Sequence, residues 1–187
     1  MATMSRFKIH DEESAPEAAQ PILKSTLKSG GQLPNFLGVL GGAPAALRGY
    51  VRLRAELRRH DLPPGTVERI ALAAGRAHDS APDVTQHARA ARDAGIGLDE
   101  IMRAQRWASE DPRQAALLAW LQPLAEQRGG VPAHVHEAAL EAGWTDEQLI
   151  EAIAVLALEA FAAMVDVAGE VPVDGSSENS RRLQAVA

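Results

Sequence analysis

The densest grouping of proton-handling side chains in this 187-residue chain is His78, Asp79, Asp83 and His87, preceded by Glu68. Asp83 and His87 are four apart, so on a helix that opens near Pro82 they stack on one face. Glu68 falls on the preceding helix. A hairpin of the two helices would set its carboxylate against the His87 imidazole, the geometry of a tuned general acid or base. The same residue types suit a metal, with Asp83 and His87 as ligands and His78 or Glu68 completing the set. Such pairs recur on helix faces by chance, so neither a metal nor a cofactor is expected. The plainer alternative is a helix-surface Asp/His pair with an exposed glutamate near a helix N-terminus. His134 and His136, two apart, point in different directions on a helix and read as solvated. Trp107, Trp120 and Trp144 read as core or subunit-contact residues.

Composition narrows the chemistry. The chain has no cysteine, which removes disulfides, thiolate metal sites, redox CxxC pairs and cysteine nucleophiles together. With 25 acidic against 19 basic residues the net charge is −6, so neither nucleic acid nor an anionic membrane is an expected partner. The first eleven residues carry Arg6 and Lys8 but no apolar core of a signal. No charge-free run approaches the roughly 18 apolar residues of a membrane span. A soluble, cytoplasmic protein is the expectation.

The elements that must position these residues read as helices, because aromatics are 4% of the chain, β-branched runs are scarce and alanine is abundant. Ser14 and Glu17, with Pro16 between them, predict a capping box and a helix over 14–28, ended by Gly30 and Gly31. A short apolar helical turn follows at 33–37. Next comes a helix over 44–59 that buries Leu47, Tyr50, Val51 and Leu57 and leaves its arginines solvated. Thr66 is expected to cap a helix to residue 77, and Pro82 to open one that reaches Asp93. Further helices are predicted over 99–108, from Asp111-Pro112 to a kink or end at Pro123, over 132–142, and from a Thr145/Gln148 capping box to about Val167. The stretch Ala91-Arg92-Asp93-Ala94-Gly95 before Leu98-Asp99-Glu100 is echoed by Leu140-Glu141-Ala142-Gly143 before Thr145-Asp146-Glu147. Two copies are too few for a solenoid, so the prediction is one all-α helical bundle with two related helical hairpins. Its domain spans 14–174, between an N-terminal extension at 1–13 and a polar tail at 175–187.

The order Ser14-Ala15-Pro16-Glu17, Leu33-Pro34-Asn35-Phe36, Glu68, a segment ending in His87, and Ala94-Gly95 resembles the alkylhydroperoxidase D and carboxymuconolactone decarboxylase family. The resemblance runs from about residue 7 to Asp174. It implies an all-helical fold, assembly as trimers or hexamers, and a motif of Glu, eleven residues, then C-x-x-C-x-x-x-H. Glu68 matches the motif glutamate and His87 its histidine, while Ser80 and Asp83 occupy the two cysteine positions. Serine and aspartate cannot cycle through a disulfide, so thiol peroxidase chemistry is not expected. The Asn-Tyr…Asn-His stretch that the resemblance places in the last long helix reads Ala163-Met164-Val165-Asp166-Val167 here.

Two functions follow as expectations. One is an enzyme of the cysteine-free, decarboxylase- or isomerase-like kind on a small carbonyl or carboxylate substrate. There His87 is the general acid or base, Glu68 orients it, and Asp83 adjusts the imidazole or binds substrate. The other is a non-catalytic oligomeric binding or scaffold protein that has lost peroxidase activity.

Overall fold

The computed structural model describes residues 5–127 and 129–174, so the polar tail predicted at 175–187 lies outside the described residues. All regular structure among them is helical. The chain forms two compact units, one of residues up to 55 with those from 164 onward, the other of residues 56–163.

The first unit contains α1 (Gln20–Gly30), α2 (Asn35–Gly41) and most of α3 (Pro44–Leu57). The helix predicted from Ser14 starts later than expected. Pro21 has no N–H to give to the Glu17 carbonyl, so residues 14–19 make turns and α1 begins at Gln20. Ser14 Oγ accepts the Asp11 N–H at 3.0 Å, which turns its hydroxyl away from the helix it was expected to cap. Leu23, Leu40 and Leu47 are buried here, and Phe36 meets Tyr50 edge-on with centroids 5.0 Å apart. Val51 and Leu57 of α3 are half-buried, and its arginines lie exposed as expected. The segment through Ile9 and His10 runs across glycines of α2, where the His10 N–H donates to the Gly38 carbonyl at 3.0 Å.

The second unit is built around α4 (Thr66–Ala77), in which every residue from Ile70 to Gly75 is buried. Ile70, Ala73 and Ala74 join Leu117, Leu118 and Leu121 of α7 (Pro112–Gln122) with Leu149, Ala152 and Val155 of α9 (Asp146–Gly169). Leu72 packs the other way, with Ala91 of α5 (Ala81–Asp93) and Ile101 and Ala104 of α6 (Leu98–Ala104). α8 (Ala133–Glu141) lies against α7. Thr66 is not the cap of α4 but its first residue. Gly65, at φ +76°, precedes it, and the buried Thr66 hydroxyl accepts from Gln114 Nε2 at 2.9 Å. Asp111 caps α7 as predicted, and after Gln122 the chain continues through Pro123 into a π-helical turn, residues 123–127.

The echoed glycines do the same job. Gly95 (φ +84°) and Gly143 (φ +88°) end their helices with the following N–H, from Ile96 and Trp144, bonded back to Ala91 and Ala139 carbonyls. The same wrap occurs without glycine at Asp79 (φ +55°) and Trp107 (φ +58°), and the latter ends α6 before the predicted residue 108. All three tryptophan N–H groups are satisfied, by Glu126, His136 and the Arg113 carbonyl.

One close approach gives a test. A Cβ on Gly38 would stand 2.7 Å from both the His10 carbonyl oxygen and Ile9 Cγ2. Alanine there gains about 1 kcal/mol of helix propensity and meets a backbone atom that cannot rotate away. Gly38→Ala is therefore expected to lower stability by about 1–3 kcal/mol in urea unfolding. A midpoint at or above that of the parent would refute the contact.

Candidate functional site

The link between α4 and α5 is three residues long, and each has a task. The His78 N–H returns to the Ala74 carbonyl at 3.1 Å, and Asp79 takes the left-handed turn. The Ser80 N–H closes the wrap on the Gly75 carbonyl at 2.8 Å, while its Oγ accepts the Asp83 N–H at 3.4 Å and caps α5. A Cβ on Gly75 would lie 3.1 Å from Asp83 Cβ and 3.3 Å from Val84 Cγ2, so its absence lets the start of α5 pack tightly on α4. The result is a closely packed helical hairpin.

This hairpin brings Glu68 and His87 together. Glu68, in the first turn of α4, places Oε2 2.8 Å from His87 Nδ1. On the opposite edge of the ring, Glu159 of α9 places Oε2 3.2 Å from Nε2. His87 is 7% exposed, and the Glu68 and Glu159 side chains are 22% and 11% exposed. A neutral imidazole has one N–H, so it would turn a lone pair toward one of these carboxylates. The imidazolium donates to both. Burial pushes the imidazole down, and hydrogen bonds and charge from Glu159 and Glu68 outweigh it, raising His87 from 6.5 to about 10. At neutral pH the His87 ring is therefore a cation held between Glu68 and Glu159.

Asp83 sits one turn before His87 on the same face of α5, buried at the contact with Gly75. The ring hydrogen bonds come instead from Glu68 and from Glu159, which the sequence reading did not single out. A signal for it exists. Along α9 the buried positions Ala152, Val155 and Ala162 recur at helical spacing, and Glu159 falls in their register. A carboxylate on the inner face of an otherwise apolar helix needs a partner.

The other candidates lie elsewhere. Asp79 is exposed beside Arg76 at 3.5 Å, and Ser80 is 1% exposed with its hydroxyl used as a cap. His134 is exposed, whereas His136 is half-buried and accepts from Trp120 Nε1 at 3.1 Å, a correction to the solvated pair. Asp166 is buried in the first unit. Among the described residues no three His, Asp or Glu side chains are grouped to hold a metal ion. Glu68 and Glu159 illustrate why: they meet opposite edges of one ring and do not converge on a point. An open cleft of about 430 Å³ is lined by Gly65, Arg69, Gly95 and Glu100. Its ion pair is internally satisfied, with Glu100 accepting from Arg69 Nε at 2.7 Å, the Glu110 N–H at 2.9 Å and the Ser109 hydroxyl. One helix, Asp146–Gly169, is long and apolar enough to cross a membrane by length and composition, and 44% of its apolar window is buried in the fold.

Residues 44–126, which include the whole α4–α5 hairpin, match the model of the carboxymuconolactone decarboxylase family. No curated protein matches the sequence. Among solved structures, an uncharacterised peroxidase-related protein from Ralstonia eutropha with an alkylhydroperoxidase AhpD core superposes with a TM-score of 0.79 at 19% identity, covering 94% of this chain and 95% of its own. A protein of unknown function from Agrobacterium tumefaciens superposes with a TM-score of 0.65 at 18% identity, over 72% of this chain and 94% of its own. A debrominase solved with 2,3,4-tribromopyrrole gives 0.73 at 16% identity over 94% of each chain. Residues 44–126 are thus similar to the carboxymuconolactone decarboxylase family, and the chain is a cysteine-free protein with the fold of the alkylhydroperoxidase AhpD core structure.

Proposed function

We propose that this protein is a proton-transfer enzyme of decarboxylase- or isomerase-like type acting on a small carbonyl or carboxylate substrate, with Glu68, Asp83 and His87 as its catalytic residues. The observation that carries the reading is the Glu68–His87 contact at 2.8 Å, held within the family-matched hairpin. A decarboxylation there balances without a cofactor. The bond to the substrate carboxylate breaks, carbon dioxide leaves, and the electron pair is held as an enolate beside the imidazolium. His87 then gives a proton to carbon and is recharged from solvent through Glu68. Asp83, one turn away on the same face, contributes to the local charge. Reduction of a hydroperoxide through a disulfide is outside the chain's chemistry, since it has no cysteine. No nucleic acid, membrane or metal enters this reading, and a cytoplasmic location belongs to it.

The second reading, a non-catalytic binding or scaffold protein, is favoured by one observation: the imidazole is 7% exposed with both nitrogens bonded. Either reading fits a homo-oligomer, a trimer or hexamer. Support comes from the apolar residues that α9 leaves exposed, Ile150 at 66% and Ile153 at 40%.

The two readings separate on a carbon-acid assay. Small lactone and keto carboxylic acids are incubated with the protein in D₂O, and carbon dioxide release and deuterium uptake are followed. Turnover is expected, with His87→Gln slower by roughly 10²–10⁴-fold and Ser80→Ala nearly unchanged but less stable by about 1 kcal/mol. Absence of both signals would leave the scaffold reading standing, and full activity in His87→Gln would overturn the role given to His87. Light scattering at micromolar concentration is expected to give a multiple of three chains, and a monomer overturns the assembly.

The charged histidine also sets a pH dependence. Its folded value near 10 lies above the unfolded 6.5. The stabilisation is therefore complete below 6.5 and is lost as pH rises toward 10, with a slope of up to about 1.4 kcal/mol per unit for one proton. Urea midpoints are expected to fall across this window in the parent and to flatten in His87→Gln. A flat parent profile from pH 7 to about pH 9 would contradict the triad.

A further inference from the structure

Two carboxylates on one buried imidazole are more than charge balance asks for. Glu68 alone neutralises an imidazolium, and it enters from the first turn of α4, where the helix dipole favours a negative group. Glu159 adds a second negative charge from the inner face of α9, flanked by Leu158 and Ala160 and with its side chain 11% exposed. Desolvating that charge is unfavourable, and an apolar residue would fill the same face of the helix without it. The two glutamates also differ in access: the Glu68 side chain is twice as exposed as that of Glu159.

We propose that Glu159 is a positioning residue of this site: its carboxylate on Nε2 fixes the His87 ring as a hydrogen-bond donor at both edges and leaves Glu68 as the group that receives a substrate proton. This rests on the proton-transfer reading and assigns direction within it. In an isomerisation the proton taken from one substrate carbon goes to the Glu68 carboxylate, the His87 cation stabilises the electron pair left behind, and His87 then gives a proton to the second carbon and regains one from Glu68. No external oxidant or reductant enters. The titratable groups around the ring are Glu68 from α4, Asp83 from α5 and Glu159 from α9. Removing Glu159 leaves burial opposed by a single hydrogen-bonded carboxylate, so the ring then deprotonates at lower pH.

The test is ¹⁵N NMR of the His87 ring in the full chain, titrated in the parent, Glu159→Gln and Glu159→Asp. In the parent both ring nitrogens are expected to stay protonated through pH 8. In Glu159→Gln the ring titration is expected to move down by about 1–3 pH units, with Glu159→Asp between the two. Where a carbon acid is turned over, the alkaline limb of its rate profile should move down by the same amount in Glu159→Gln, with KM little changed. A role in folding alone would lower stability and leave the ring titration in place. An unshifted titration in folded Glu159→Gln overturns the assignment. If Glu159→Gln does not fold, an unprotonated Nε2 in the parent at pH 8, or an unshifted Glu159→Asp, overturns it equally. A shifted titration without turnover of any carbon acid supports the positioning role and rejects the proton-transfer reading, so the two fail separately.

Discussion

A cation clamped by two carboxylates ties three helices of the second unit together. Glu68 comes from α4, His87 from α5 and Glu159 from α9. Each is set by a different local device: a first-turn position, a hairpin link of three residues, and the inner register of a long helix. The His87 imidazolium is not tolerable alone at this depth. An isolated buried carboxylate or imidazolium would shift its protonation and discharge, whereas together each has a partner within 3.2 Å. The geometry of the site and the charge state of its histidine are thus one constraint, and displacing either carboxylate-bearing helix weakens both.

The hairpin turn is built without sulfur. Ser80 accepts the Asp83 N–H through its hydroxyl oxygen, a better acceptor for a helix N-cap than a thiol. Asp83 packs where Gly75 leaves room for its Cβ. Both residues lie at the start of α5, so capping and close packing hold the turn. With that turn in place, a chain without cysteine superposes on a peroxidase-related structure at a TM-score of 0.79.

Much of this was legible in sequence because helix ends are chemically marked. Asp111 before Pro112, the Thr145/Gln148 box, and Gly95 and Gly143 all do what their residue types dictate. The start of α1 was misread because Ser14, Pro16 and Glu17 have the composition of a cap, while the deciding residue, Pro21, lies beyond that window. The end of α6 was misread for a complementary reason. A left-handed residue is announced by glycine, and Trp107 adopts that conformation without one, held by the Ala108 N–H bonded back to Arg103 and by an indole fixed on Glu126. The tertiary contact there outweighs the local cost of about 1–2 kcal/mol.

The site was legible to the extent that its parts lie near one another in sequence. Glu68 and His87 are 19 positions apart across one turn, so a hairpin is enough to join them. Glu159 is 72 positions from His87, and only the packing of α9 into the core of the second unit decides which of its residues faces the ring. That helix would be read from composition as a uniformly apolar element, with a mean hydropathy of 1.9 in its apolar window. The reading averages over the residue that matters. In an apolar helix the informative position is the one that breaks the pattern on its buried side, because a charge is stable there only against an opposite charge supplied by another element. Once the packing of α9 turns Glu159 inward, its charge requires a donor from another element, and the His87 ring, which donates from both edges as an imidazolium, supplies it.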